Sequence, residues 1–114
     1  MMKVNATLLE VSFGYNTISN DGLAQLSKFL NVNSTLRHLD LSHNSFNDSG
    51  FDIFAEALAH NNGLTFLDIA KNKEVTDEGS LVTLCHALTI NKRLKTLDVT
   101  GLNIRKPFLK QSFD

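Results

Sequence analysis

Apolar and polar positions recur along this chain with a long, regular period. Leu8-x-x-Val11-Ser12-Phe13-x-x-Asn16, Leu36-x-x-Leu39-Asp40-Leu41-Ser42-x-Asn44 and Leu64-x-x-Leu67-Asp68-Ile69-x-x-Asn72 follow one another at steps of 28 residues. A fourth copy, Leu94-x-x-Leu97-Asp98-Val99-Thr100, comes after a step of 30, with the extra length in the loop from Lys73 to Ser80. Within each copy apolar and polar side chains alternate, the period of a strand with one buried face. Strands are therefore predicted near 8–12, 36–41, 64–69 and 94–99. Between them Leu23, Leu26 and Leu30, then Phe51, Phe54 and Leu58, then Leu81, Leu84 and Leu88 keep the i, i+3, i+7 spacing of a helix with one apolar stripe. Helices are predicted near 21–31, 49–60 and 79–90. Asn20-Asp21-Gly22, Asn47-Asp48-Ser49-Gly50 and Thr76-Asp77 supply capping and turn residues where each helix must begin.

A single strand and helix of this size cannot bury its apolar face alone, whereas stacked copies share one continuous core. The expected fold is an α/β right-handed solenoid, a horseshoe fragment with a parallel sheet of about four strands and helices on the convex side. It is expected as one domain over 1–114, with repeats near 8–35, 36–63 and 64–93 and a partial one at 94–114. The motif Leu-x-x-Leu-Asp-Leu-Ser-x-Asn at this period, with a helix ending Ala57-Leu58-Ala59-x-Asn61, resembles the ribonuclease-inhibitor-like leucine-rich repeats. The resemblance runs to about Ile104. It implies that Asn16, Asn44 and Asn72 form an asparagine ladder satisfying backbone groups at the turn after each strand. In the fourth copy Leu102 stands in the asparagine slot and Asn103 comes one place late, so a different turn is expected there.

The family implied by the resemblance includes inhibitors, scaffolds, innate-immune sensor arrays and the Ran GTPase activator, so the fold alone does not choose a function. The expectation drawn from the residues is a protein–protein interaction module or scaffold component, with regulation of a small GTPase as the alternative. With Leu39, Leu41, Leu67 and Ile69 facing the core, the alternate side chains Glu10, Ser12, His38, Asp40, Phe66, Asp68, Thr96 and Asp98 form columns on the concave face, the expected partner-binding surface. Asp40, Asp68 and Asp98 would stack at about one strand spacing, roughly 4.8 Å, which favours a cationic partner or partial protonation. Phe66 is the one large aromatic in its column and a candidate anchor.

Catalytic arrangements fare worse. His38, Asp40 and Ser42 alternate along one strand and so share a face, but same-face neighbours sit about 6.5 to 7 Å apart, beyond hydrogen-bond reach. No nucleophile elbow accompanies the serine. His38 and His43 belong to a strand and its turn, while His60, His86 and Cys85 belong to the helical layer, so they do not converge on a metal. Gly22, Gly50 and Gly79 lie in no phosphate-binding run. No catalytic, metal or cofactor residue is expected, and the chain is read as not an enzyme.

The 42% hydrophobic content supports one core, and the net charge of −1 gives no electrostatic case for nucleic acid or an anionic membrane. Charge is uneven: residues 92–114 carry +4 and the remainder −5. Cys85 is the only cysteine, so no internal disulfide forms and a reducing, cytoplasmic location is expected. No apolar run approaches the length of a signal peptide or a membrane span, and the sequons at Asn5, Asn33 and Asn47 match chance in so polar a chain.

The ends carry two further expectations. Val4-Asn5-Ala6-Thr7-Leu8 matches Val32-Asn33-Ser34-Thr35-Leu36, where a helix ends, so the first strand is expected to lack an upstream neighbour. Its edge, with Leu8, Leu9, Val11 and Phe13, is then expected to self-associate or to be covered by a partner or a preceding repeat. Pro107 suits the first turn of a short closing helix.

Overall fold

A computed structural model describes residues 10–104; Leu8, Leu9 and the segment around Pro107 lie outside them. Along the chain run β1 (Glu10–Ser12), α1 (Asn20–Val32), β2 (His38–Asp40), α2 (Asp48–His60), β3 (Phe66–Asp68), α3 (Glu78–Ile90) and β4 (Thr96–Asp98). The strands form one parallel sheet in the order β1-β2-β3-β4, each linked to the next by a helix, the solenoid the periodicity predicts. The register holds through the sheet: Val11 is opposite Leu39, Leu39 opposite Leu67, and Leu67 opposite Leu97.

The strands are shorter than expected, three residues each. Pairing nevertheless continues past them as single bonds, from Phe13 N–H to Asp40 O (2.8 Å), Leu41 to Asp68 (2.7 Å) and Ile69 to Asp98 (2.9 Å). Leu39, Leu41, Leu67 and Ile69 are fully buried against Leu23, Leu30, Phe51, Phe54 and Leu58 of the helices. One apolar layer between sheet and helices is the core. Cys85 occupies the helical slot of buried Ser27 and Ala55 but is only half-buried.

Helix starts depart from the expected caps in one place. Asn47 and Asp77 cap α2 and α3, accepting from Ser49 N–H (3.0 Å) and Gly79 N–H (2.9 Å). At α1 the capping position is Ser19, and Asn20 lies inside the helix. Its amide instead clasps the next repeat, accepting from Asn47 N–H (2.9 Å) and donating to Asn47 Oδ1 (2.7 Å). Asp48 does the same one repeat along, accepting from the N–H groups of Thr76 and Asp77 and from Ser80 Oγ (2.7 Å).

Two asparagine ladders run through the array. In the first, Asn44 Nδ2 donates to Phe13 O, Leu41 O and Ser42 O, and its Oδ1 accepts from Ile18 N–H. Asn72 repeats this with Leu41 O, Ile69 O and Ala70 O, accepting from Asn44 N–H. The second ladder was not anticipated. Asn33, Asn61 and Asn91, each buried at a helix C-cap, turn the chain toward the next strand. Asn61 Oδ1 accepts from the N–H groups of Gly63 and Leu64 while its Nδ2 donates back to Leu30 O and Asn33 O. Asn91 makes the same set with Arg93, Leu94, Leu58 and Asn61. Among the described residues no buried side-chain polar atom lacks a hydrogen-bond partner.

Candidate protein-binding face

The sheet has a face that the core does not use. Register aligns Glu10, His38, Phe66 and Thr96 in one column and Ser12, Asp40, Asp68 and Asp98 in the other. Alternation places all eight on the side away from the helices, the concave side of the array. Each is exposed or half-buried.

In the first column the side chains touch in sequence. His38 Nδ1 lies 3.8 Å from Glu10 Oε2, and the His38 ring tilts by 36° against Phe66 with centroids 5.1 Å apart. Phe66 thus packs back onto the preceding repeat and remains half-buried. In the second column each aspartate closes a small turn after its strand. Asp40 accepts from Ser42 N–H (2.9 Å) and Ser12 Oγ (3.1 Å), Asp68 from Ala70 N–H (2.9 Å), and Asp98 from Thr100 N–H (3.0 Å) and Thr100 Oγ1 (2.8 Å).

Those bonds correct the expectation of partial protonation for two of the three. Partial burial works to raise the Asp40 pKa, but the bonds from Ser42 and Ser12, with His43 nearby, outweigh it and hold the carboxyl below its ordinary range. For Asp98 the Thr100 N–H and hydroxyl dominate and, with Lys71, also lower it. Donors aimed at the charged form stabilise it, so both remain carboxylates at neutral pH.

Asp40 spends its oxygens on Ser12 and Ser42, and His38 turns to Glu10 and Phe66. Ser42, moreover, is buried. The three residue types of a hydrolytic triad are therefore present on neighbouring positions but engaged elsewhere. His60, His86 and Cys85 sit on α2 and α3, across the core from His38 and His43. Among the described residues no three His, Cys, Asp or Glu side chains gather as a metal site would need.

A third row escaped the sequence reasoning. Tyr15, His43 and Lys71 have φ of 60°, 55° and 63°, and Gly101 has 77°, so one slot per repeat lies in the left-handed region. Non-glycine residues hold that conformation at a cost of about 1 to 2 kcal/mol each. The row borders the aspartate column at the C-terminal ends of the strands. Tyr15, 78% exposed, stacks on His43 at 3.9 Å between centroids and 13° between planes. Lys71 lies along Gly101, where an added Cβ would come within 2.5 Å of its Cδ. The signal was available: the slot precedes each ladder asparagine, and the fourth copy fills it with glycine.

A short-strand solenoid whose helices cover one sheet face and whose other face carries aligned polar and aromatic columns defines a repeat-type binding module. The chain belongs to the leucine-rich-repeat family: the family's model matches residues 4–27, 32–51 and 60–80. No curated protein matches the sequence significantly. Leucine-rich repeats are general protein–protein interaction modules, typically without catalytic activity. Among the described residues no helix is long and apolar enough to cross a membrane.

Proposed function

We propose that this chain is a protein-interaction module, a scaffold component, that holds a protein partner on its concave face through Glu10, Ser12, His38, Asp40, Phe66, Asp68, Thr96 and Asp98. The observation that carries the reading is the half-exposed Phe66, seated on His38 in one registered column beside the column of Asp40, Asp68 and Asp98. An aromatic so placed buries a large apolar area on contact, and the neighbouring aspartate column selects what approaches. Carboxylates held ionised at Asp40 and Asp98 favour lysine or arginine on the partner. The outer edge of β1 is a second contact surface. The repeats are of the ribonuclease-inhibitor-like type, a reading supported by the 28-residue step and the Leu-x-x-Leu-Asp-Leu motif. A cytoplasmic setting is supported by the single cysteine, and a partner other than nucleic acid or membrane by the net charge of −1.

Photo-crosslinking tests this directly. A benzophenone side chain in place of Phe66 should give a discrete adduct in extracts of the native source, and the same group in place of His86 on α3 should not. Adducts of equal yield from both positions, or from His86 alone, would show that the wrong face had been chosen.

A further inference from the structure

One step of the second asparagine ladder covers a chemically labile sequence. Asn62-Gly63 is the one Asn-Gly pair in the chain. Such a pair modifies itself in water, because glycine has no side chain to hinder its own main-chain nitrogen. The Gly63 nitrogen gives up its proton and forms a bond to Asn62 Cγ, the bond from Cγ to Nδ2 breaks, and ammonia leaves. Water then opens the five-membered imide at one of its two carbonyls. Opening at Cγ leaves an aspartate. Opening at the main-chain carbonyl leaves an isoaspartate, whose backbone runs through Cβ and Cγ and is one atom longer.

The two reacting groups are placed unequally. Asn62 is exposed, and its carboxamide takes part in none of the described hydrogen bonds. Gly63 is buried, and its N–H donates to Asn61 Oδ1 at 2.9 Å, beside the bond from Leu64 N–H to the same oxygen at 2.8 Å. The Gly63 carbonyl accepts from Arg37 Nη1 at 3.2 Å. A Cβ on Gly63 would lie 2.7 Å from Ser34 O and 2.9 Å from Leu36 O, so its main chain is packed against the turn of the preceding repeat. The clamp is itself anchored there, since Asn61 Nδ2 donates to Leu30 O and Asn33 O. The other rungs hold the same N–H, from Thr35 to Asn33 Oδ1 (3.1 Å) and from Arg93 to Asn91 Oδ1 (2.8 Å). There the pairs are Ser34-Thr35 and Lys92-Arg93, which offer no carboxamide to attack.

We infer that Asn62-Gly63 is a self-modification site held shut by the Asn61 carboxamide. The electrophile is exposed, but the nucleophile shares its proton with a buried acceptor and is fixed in place by the preceding repeat. The reaction therefore proceeds only from states in which this turn has opened, and local opening costs less than global unfolding. Modification is one-way. With an extra main-chain atom at position 62, the N–H groups of Gly63 and Leu64 no longer both reach Asn61 Oδ1. The isoaspartyl chain then lacks the clamp in the turn that leads into β3. The inference is independent of the concave face as a binding surface.

Incubation of the full chain at mildly alkaline pH, followed by peptide mapping with mass spectrometry, reads the replacement of the amide at position 62 by an acid. The folded wild type should react at least about tenfold more slowly than the same chain unfolded in guanidinium chloride, the protection expected of a local opening equilibrium. Asn61→Ala, folded by circular dichroism, should lose most of that protection, and Asn62→Ser, without a carboxamide, is the blank. Should Asn61→Ala fail to fold, the wild type decides. In guanidinium chloride below the unfolding transition, its deamidation rate and the hydrogen exchange of the Gly63 amide should rise in parallel. Equal rates in the folded and unfolded wild type overturn the inference. So does a folded Asn61→Ala that reacts as slowly as the wild type, and so does Gly63 exchange that rises without deamidation.

Discussion

Asn44 and Asn61 are short polar side chains in an apolar interior, each filling its bonding capacity with main-chain groups that would otherwise be buried without partners. Removing either amide strands several of these groups, so Asn44→Ala and Asn61→Ala should each cost about 1 to 3 kcal/mol in chemical denaturation. Unchanged unfolding midpoints would refute the ladder as a source of stability. Asp48 carries an acid-sensitive link between helices. Burial opposes its ionisation, but the bonds from Ser80, Asp77 and Thr76 prevail and lower its pKa. A depressed folded pKa means that the unfolded chain takes up the proton first as pH falls. The contribution is therefore complete at neutral pH and disappears from about pH 4 downward. Asp48→Asn should be less stable than the wild type at neutral pH, and the gap should narrow in acid, as read from urea midpoints across that range. A gap that is constant with pH would contradict the account.

At the level of elements the repeat, with steps of 28 residues and a last step of 30, placed every strand and helix, because alternation and the i, i+3, i+7 stripe each report which face is buried. Leu67, from the middle of the sheet, tests that register: Leu67→Ala should cost about 2 to 5 kcal/mol by leaving a cavity, and a loss under half a unit would mean that Leu67 does not face the core. Other features were less visible. The strands shorten because the chain turns after Asp40, Asp68 and Asp98, where each carboxylate takes an N–H two residues on; an aspartate in a strand pattern does not announce that it is closing one. The C-cap ladder of Asn33, Asn61 and Asn91 keeps the repeat spacing, yet asparagine after a helix reads equally well as a simple stop signal. The left-handed row was hidden by its occupants. Tyrosine, histidine and lysine at 15, 43 and 71 give no hint of positive φ, and only Gly101 does. There an added Cβ would meet both the backbone strain and Lys71.

In the whole molecule the two sheet faces divide the labour: one is spent on the core, and the other offers registered columns bordered by the Tyr15, His43 and Lys71 row. The columns could be listed from alternation alone, because side-chain direction in a strand is fixed by parity. What alternation could not supply was the state of the aspartates, which depends on donors two residues downstream and on Ser12 in the neighbouring strand. In the proposed function their charge favours a cationic partner and Phe66 serves as the anchor. The most direct test is the affinity of the partner captured by crosslinking at position 66, measured by calorimetry for the wild type, Phe66→Ala and His86→Ala. Phe66→Ala should weaken binding by about 2 kcal/mol or more, as for a hot-spot aromatic, with His86→Ala indistinguishable from the wild type. Equal losses from the two substitutions, or full affinity in Phe66→Ala, would contradict the assignment of the concave face as the binding surface.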